Sequence, residues 1–216
     1  MDIRKLIKLD YISIKPYFTL KNLLIMTILA FVYTKLMNSP SMIISITMIF
    51  AMLFSSYPFL IGENSGIDGL YRIFGINPKD VVIGRFTLAG LIYIATSIIG
   101  IIYYILLTLV SDLVFTKEIF LFILTNFLVY GLITSIQYPI FFKYGYTKAK
   151  TFAFLPMFII GILGILGGFL IEDLDSVFNF IDSHIELFLG ISIIVVIIVI
   201  LLSIILSIKF YKRRDF

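Results

Sequence analysis

Six long apolar runs, none with a charge near its centre, decide what this chain can fold into. They lie at about 20–38, 41–62, 86–110, 119–142, 152–171 and 187–208. Each is close to the roughly 20 apolar residues a helix needs to cross a bilayer's hydrocarbon core. Charged residues make up only 14% of the chain, against about 25% in soluble domains, so too little polar surface exists to face water all round. Mean hydropathy is +1.11. The sequence therefore predicts an all-α integral membrane protein of six transmembrane helices, forming a single transmembrane domain over residues 1–216.

The basic residues predict an orientation. Arg4, Lys5, Lys8, Lys15 and Lys21 precede or open the first run; Arg72, Lys79 and Arg85 follow the second. Lys143, Lys148 and Lys150 follow the fourth, and Lys209, Lys212, Arg213 and Arg214 follow the sixth. With six crossings all of these fall on one side, and only Lys35 and Lys117 fall on the other. The Lys- and Arg-rich side of a membrane protein is cytoplasmic, so both termini are expected inside a cytoplasmic membrane. Lys35 is near enough to a span end to snorkel. No small-residue cleavage site follows the first run, so a cleaved signal peptide is not expected.

The outer loop between the fifth and sixth runs carries Glu172, Asp173, Asp175, Asp182 and Glu186 without a Lys or Arg. Such a loop either attracts cations or basic cargo or is simply a solvated connection. The segment 176–180 within it suits a short interfacial helix. The sequence pI of about 9.1 reflects topology rather than nucleic-acid binding.

Two further segments have amphipathic helical patterns. Residues 1–18 place Ile3, Leu6, Ile7, Tyr11, Ile14 and Phe18 at helical spacing opposite Arg4, Lys5, Lys8 and Lys15, the pattern of a basic interfacial helix. Residues 63–85 form the longest connection on the basic side, with Ile67, Leu70, Tyr71 and Phe74 at i, i+3, i+4 and i+7, a greasy face two turns long. Gly75 is placed to end that helix, and Asn77-Pro78 reads as the cap and first position of the next. The segment suits either a loop helix resting on the membrane or a plug for a partner's groove.

Intramembrane chemistry lacks its residue types. There is no Cys and one His, His184, near a predicted membrane end; hence no catalytic, cofactor or metal site is expected. No G-x-x-x-x-G-K-[ST] loop occurs, so nucleotide binding of that kind is not expected. Ser97, Ser135 and Ser203 are expected to bond back to their own helices, whereas Asn126 and Gln137 suit hydrogen bonds to neighbouring helices or, as the alternative, the lining of a polar path. Gly161, Gly164 and Gly168 in the fifth run, the latter two as G-x-x-x-G, permit close helix approach within or between subunits. Pro58, Pro139 and Pro156 near run ends are expected to kink or end helices.

Glu63, Gly69-Leu70, Lys79-Asp80, Val82 and Arg85-Phe86 resemble the loop that follows the second span in permease subunits of type-2 ABC transporters. The resemblance is to the small six-span subfamily of bacterial peptide-toxin and bacteriocin exporters, which includes the phenol-soluble-modulin exporter. Phe74-Gly75 departs from the leucine-proline common there, with proline delayed to Pro78. The resemblance implies a permease that exports amphipathic peptides and has no ATPase site of its own. It implies a separate ABC ATPase, as two copies carrying ATP and Mg, and a second permease subunit, identical or paralogous. It also implies a coupling helix that seats in the ATPase, with Glu63, Asp68, Leu70, Tyr71, Arg72 and Phe74 as coupling residues. A non-transporting immunity protein that sequesters a toxin is the alternative.

Overall fold

The computed structural model describes residues 2–37, 39–110, 118–170, 179–180 and 183–214, apart from the side chains of 37, 110, 118, 157, 160 and 163–170. The described elements are helical: α1 Ile3–Ile14, α2 Leu20–Met37, α3 Met42–Asn64, α4 Ile67–Ile73, α5 Pro78–Val110, α6 Glu118–Tyr144, α7 Tyr146–Leu170 and α8 Ile185–Arg213. A 3-10 turn, Lys15–Tyr17, follows α1.

Among the described residues, four helices are each long and apolar enough to cross a membrane: Met42–Asn64, Pro78–Leu109, Ile119–Tyr144 and Ile185–Arg213. Ile3–Tyr17 and Leu20–Leu36 meet the same test only as a pair, and they are bent by 75°. Four to five crossings thus stand where the sequence predicts six. At 18 residues and 1.5 Å per residue, α2 alone is short for a core about 30 Å thick. The spanning character of α7 rests partly on side chains outside the described set.

The chain divides into two compact units, Met1–Tyr130 and Gly131–Arg214, with the boundary inside α6. In the first, α3 is the buried element and packs most extensively against α5. Gly100 makes their approach close, since a Cβ there would stand 2.8 Å from Thr47 Oγ1 and 3.0 Å from Ile44 Cδ1. The Thr27 and Tyr103 hydroxyls share a 2.6 Å hydrogen bond between α2 and α5. Tyr130 donates to the Ala89 carbonyl at 3.0 Å, and Tyr93 to that of Ile123 at 2.8 Å. At the α1–α2 bend, Tyr17 lies 4.7 Å from Tyr57 and Phe18 4.7 Å from Phe54, ring centre to ring centre, which fastens the bend to α3.

In the second unit α6 packs against α8. A Cβ on Gly131 would stand 3.1 Å from Val196, and Phe142 meets Tyr211 edge-on at 5.3 Å. Ser203 donates to the Ser135 carbonyl at 2.6 Å. That bond crosses helices, contrary to the expectation that Ser203 bonds within its own. Asn126 shows the reverse. Its amide donates to the Phe122 carbonyl at 2.8 Å, one turn back in the same helix, where a partner is always in reach. Gln137 is buried with its amide nitrogen unpartnered among the described residues.

The three prolines lie inside α3, α6 and α7 and do not end them. As Asn77-Pro78 predicts, α5 begins at Pro78, ahead of the apolar run at 86–110: the Asn77 side chain accepts from Lys79 N–H at 3.0 Å. Pro at the first helical position has no N–H to leave unsatisfied. Gly161 is exposed, with open space where a Cβ would stand, while the surroundings of Gly164 and Gly168 lie outside the described side chains. The expected helix at 176–180 falls mostly outside the described residues, as do Glu172, Asp173, Asp175 and Asp182 of the acidic loop. His184 is exposed at the start of α8.

Candidate functional site

The 63–85 segment folds as two tight turns around a short helix. Gly66, at φ +67°, leads into α4. Gly75, at φ +63°, leaves it. Ile76 N–H bonds the Tyr71 carbonyl at 2.9 Å and Gly75 N–H that of Arg72 at 3.1 Å. This paired pattern closes a helix C-terminus through a left-handed residue, where glycine has no Cβ strain.

Between these turns α4 presents two faces. Leu70, Ile73 and Phe74 project outward, 47%, 78% and 75% exposed. Asp68 and Tyr71 point inward and are buried. Helical spacing alone groups Tyr71 with Leu70 and Phe74 on one face. The structure separates them because Asp68 and Tyr71, three residues apart, share a stripe that Asp68 turns toward a buried cation.

That cation is Arg85 in α5, 1% exposed. Its Nη2 donates to Asp68 Oδ1 at 2.5 Å and its Nη1 to Asp68 Oδ2 at 3.5 Å, the fork-on-fork geometry that suits guanidinium and carboxylate. Asp10 Oδ2 of α1 lies 3.6 Å from Arg85 Nε. The Phe59 ring of α3 sits under the guanidinium at 4.6 Å, a distance for cation–π attraction. Gly62, one turn on from Phe59, gives the cluster room: a Cβ there would lie 2.8 Å from Arg85 Nη2 and 3.1 Å from Asp68 Oδ2. One guanidinium thereby joins four helices, α1, α3, α4 and α5.

Burial dominates the electrostatics at the edge of this cluster. Desolvation raises the Asp10 carboxyl from 3.8 to about 6, against the attraction of Arg85, which lowers it; the neighbouring Asp68 adds to the rise. The Tyr71 phenol is pushed upward too, by burial first and then by the Asp10 charge. A buried ion must be paired to be tolerated, and Arg85 is the pairing group for both carboxylates.

The remaining expected coupling residues lie around this centre. Glu63 is half-buried in the last turn of α3, and Arg72 is exposed on α4. A groove of about 500 Å³ runs between α1 and α4, bordered by Leu9, Ile12, Leu70, Tyr71 and Phe74. Of the six residues, the structure therefore ties Asp68 and Tyr71 into the fold and leaves Leu70, Arg72 and Phe74 outward. Sequence reasoning misses Asp10, Phe59, Gly62 and Arg85 as members of the site. One signal was available: Asp10 is the lone carboxylate on the apolar stripe of α1, in line with buried Leu6 and Ile14. The described residues contain no group of three or more His, Cys, Asp or Glu placed to hold a metal.

No curated protein and no solved structure matches the chain. Residues 5–212 match the family model described as ABC-2 family transporter protein. A match over nearly the whole length, on a multi-pass helical membrane chain, makes this protein a member of the ABC-2 transporter family, whose membrane subunits are non-catalytic permease components that work with an ABC ATPase.

Proposed function

We propose that this chain is the permease subunit of an ATP-driven exporter of amphipathic peptides, and that α4 is its coupling helix. The two-faced build of α4 carries the reading. A helix that leaves Leu70, Ile73 and Phe74 exposed while Asp68 is clamped to Arg85 is built to serve as a plug for another protein's cleft. Large exposed apolar side chains at i, i+3 and i+4 form a helix-in-groove anchor. The inward clamp passes displacement of α4 to α5 through a charge pair rather than through a pliable loop.

In this reading all six apolar runs cross the membrane, with α1 on its inner surface and both termini in the cytoplasm; the Lys and Arg distribution supports that orientation. Two permease subunits pair with two copies of the ATPase, and ATP and Mg reside on the ATPase. The sequence resemblance described above supports the peptide cargo. Gly161, Gly164 and Gly168 are the proposed close-approach face between helices or subunits.

Leu70→Asp tests the coupling role, because Leu70 is half-exposed and its replacement leaves the Arg85 cluster untouched. With its ATPase, this variant is expected to lose at least about tenfold in transport while inserting normally, since a charge in a desolvated apolar groove is strongly disfavoured. Unchanged export would overturn the assignment. Because the chain has no Cys, a single cysteine at Ile73 reports sidedness directly. Labelling from outside intact cells would reject the cytoplasmic placement of α4.

A further inference from the structure

The bend between α1 and α2 borders a partly open apolar cavity that the coupling role does not use. It measures about 530 Å³ and is lined by Ile7, Met26, Phe54, Leu88 and Ile92, with Thr19, Asn22 and Thr96 among its polar members. The volume lies within the roughly 300–1,000 Å³ of small-ligand sites. α1 and its following turn meet α2 at 75°, and the cavity fills the corner between that elbow and the α3–α5 pair. If α1 lies in the interfacial plane, as proposed above, the corner falls where headgroups give way to acyl chains.

The exposed charges next to the lining residues have one sign, and Asp10, beside Tyr11, is buried toward Arg85. No Asp or Glu is among its lining residues. Lys8 and Lys15 flank the lining residue Tyr11 at i−3 and i+4, positions that share its helical stripe. Lys21 stands between the lining residues Leu20 and Asn22. All three lysines are exposed. The internal hydroxyl and amide are already satisfied: Thr96 bonds back to the carbonyls of Ile92 and Tyr93, and the Asn22 amide donates to the Tyr17 carbonyl at 2.7 Å. The interior thus asks for hydrocarbon and the rim for negative charge.

We infer that the α1–α2 elbow is a binding site for one anionic phospholipid of the inner leaflet, with an acyl chain in the cavity and the phosphate among Lys8, Lys15 and Lys21. The lipid fastens the interfacial helix to the bundle, and with it Asp10, whose carboxylate faces Arg85. A neutral lipid fits the hydrocarbon interior equally well but leaves the lysine rim unmatched, so headgroup charge is the discriminating property.

The test uses the purified full-length chain without ATPase or cargo, so its outcome does not depend on the transport reading. Native mass spectrometry after equilibration with equal amounts of phosphatidylglycerol and phosphatidylcholine should show one retained lipid, with phosphatidylglycerol favoured at least about tenfold. Ala95→Trp, at an exposed lining position, should abolish retention by filling the cavity. The triple variant Lys8→Gln, Lys15→Gln, Lys21→Gln should keep a lipid but lose the preference. The triple variant leaves every lining residue in place, so it answers the question even if the tryptophan disturbs folding. Equal retention of both lipids by the unaltered chain, or an undiminished preference in the triple variant, overturns the proposal. So does disulfide cross-linking of an Ala95→Cys variant to a second copy of itself in phosphatidylglycerol membranes, because the corner would then be a subunit interface.

Discussion

The Arg85 cluster in the Met1–Tyr130 unit and the Ser135–Ser203 seam in the Gly131–Arg214 unit join helices by opposite means. Around Arg85, four helices converge on one buried charge, with Asp68 at 2.5 Å and Asp10 at 3.6 Å. Along the seam, α6 and α8 meet through small residues, Gly131 and Ser135 against Val196 and Ser203, with one hydroxyl-to-carbonyl bond at 2.6 Å. The first arrangement is directional and costly to break. A buried charge that loses its partner is penalised by several kcal/mol. The second depends mainly on shape, with the Ser203 hydroxyl serving a carbonyl that Pro139 leaves without its ladder donor. A join that must carry force between a short surface helix and a membrane helix is better made with charge. Helices that only need to stay side by side are adequately held by packing.

The largest effect expected from this contrast is at Arg85. Arg85→Met leaves Asp68 and Asp10 buried without a cation and should destabilise the chain by about 3–5 kcal/mol. The measurement is the denaturant midpoint in detergent. The double variant with Asp68→Asn should recover part of that loss, because the orphaned carboxylate is removed. If Arg85→Met unfolds at the same midpoint as the unaltered protein, the charged join is not a structural element and the comparison fails.

Asp10 gives the next largest effect, through pH. Its folded-state value of about 6 lies above its ordinary 3.8, so the folded chain holds a proton that the unfolded chain releases. A carboxyl raised in this way adds stability below about pH 4, and that contribution is lost as pH rises toward about 6. Each tenfold change in a protonation equilibrium corresponds to about 1.4 kcal/mol, which makes the full change on the order of 3 kcal/mol. Comparing the unaltered chain with Asp10→Asn between pH 4 and 7 cancels the other titrating groups. The stability difference should favour the unaltered chain increasingly as pH falls. A difference that stays flat, or slopes the other way, would show that Arg85 pairing outweighs burial at Asp10.

The site around Asp10 is only half legible in the sequence. Spans and caps can be read because each depends on residues near one another in sequence: an apolar run, or Asn77 ahead of Pro78. Leu70 and Phe74 can be read as an apolar pair one turn apart. The Arg85 cluster joins residues 10, 59, 62, 68 and 85, and no periodicity links them. In sequence, a basic helix with a lone acid at Asp10 is an amphipathic helix with a stray charge. Asn77-Pro78 carries Arg85 two turns into a helix, but no local pattern turns it toward residues 10 and 68 rather than leaving it as a topological anchor. The inward turn of Tyr71 is hidden for the same reason. Its face is set by where Asp68 must go, which is a tertiary fact.

Gly62 sharpens the comparison at a smaller scale. Gly62→Ala places a methyl group 2.8 Å from Arg85 Nη2, and the guanidinium, held by two carboxylates and covered by Phe59, has little room to retreat. Overpacking of this kind costs about 1–3 kcal/mol. Gly90 is a control, since a Cβ there meets nothing within 4 Å; Gly90→Ala should be neutral or slightly stabilising, as alanine is the better helix former by about 1 kcal/mol. Equal responses at Gly62 and Gly90 in thermal-shift measurements would mean that the cluster adapts freely.

The smallest effect is expected at the seam. Ser203→Ala deletes the hydroxyl that bonds the Ser135 carbonyl but leaves its Cβ in place. The residue four positions on from Ser135 is Pro139, which has no N–H to give that carbonyl, so the Ser203 hydroxyl stands in for a missing ladder donor. Interhelical hydrogen bonds in membranes average about 0.6 kcal/mol and reach about 1.7; a loss toward the upper figure is expected, because the carbonyl's i+4 donor is already missing. Ser207 supplies the internal contrast. Its hydroxyl is fully buried and unpartnered among the described residues, so Ser207→Ala should be neutral or mildly stabilising, because removing an unsatisfied polar group removes a desolvation cost. The two substitutions are chemically identical and lie one helical turn apart. A difference of opposite sign between them therefore isolates the hydrogen bond from the change in volume. A Ser203→Ala loss as large as that of Arg85→Met would show that the second unit, too, is held by a polar join.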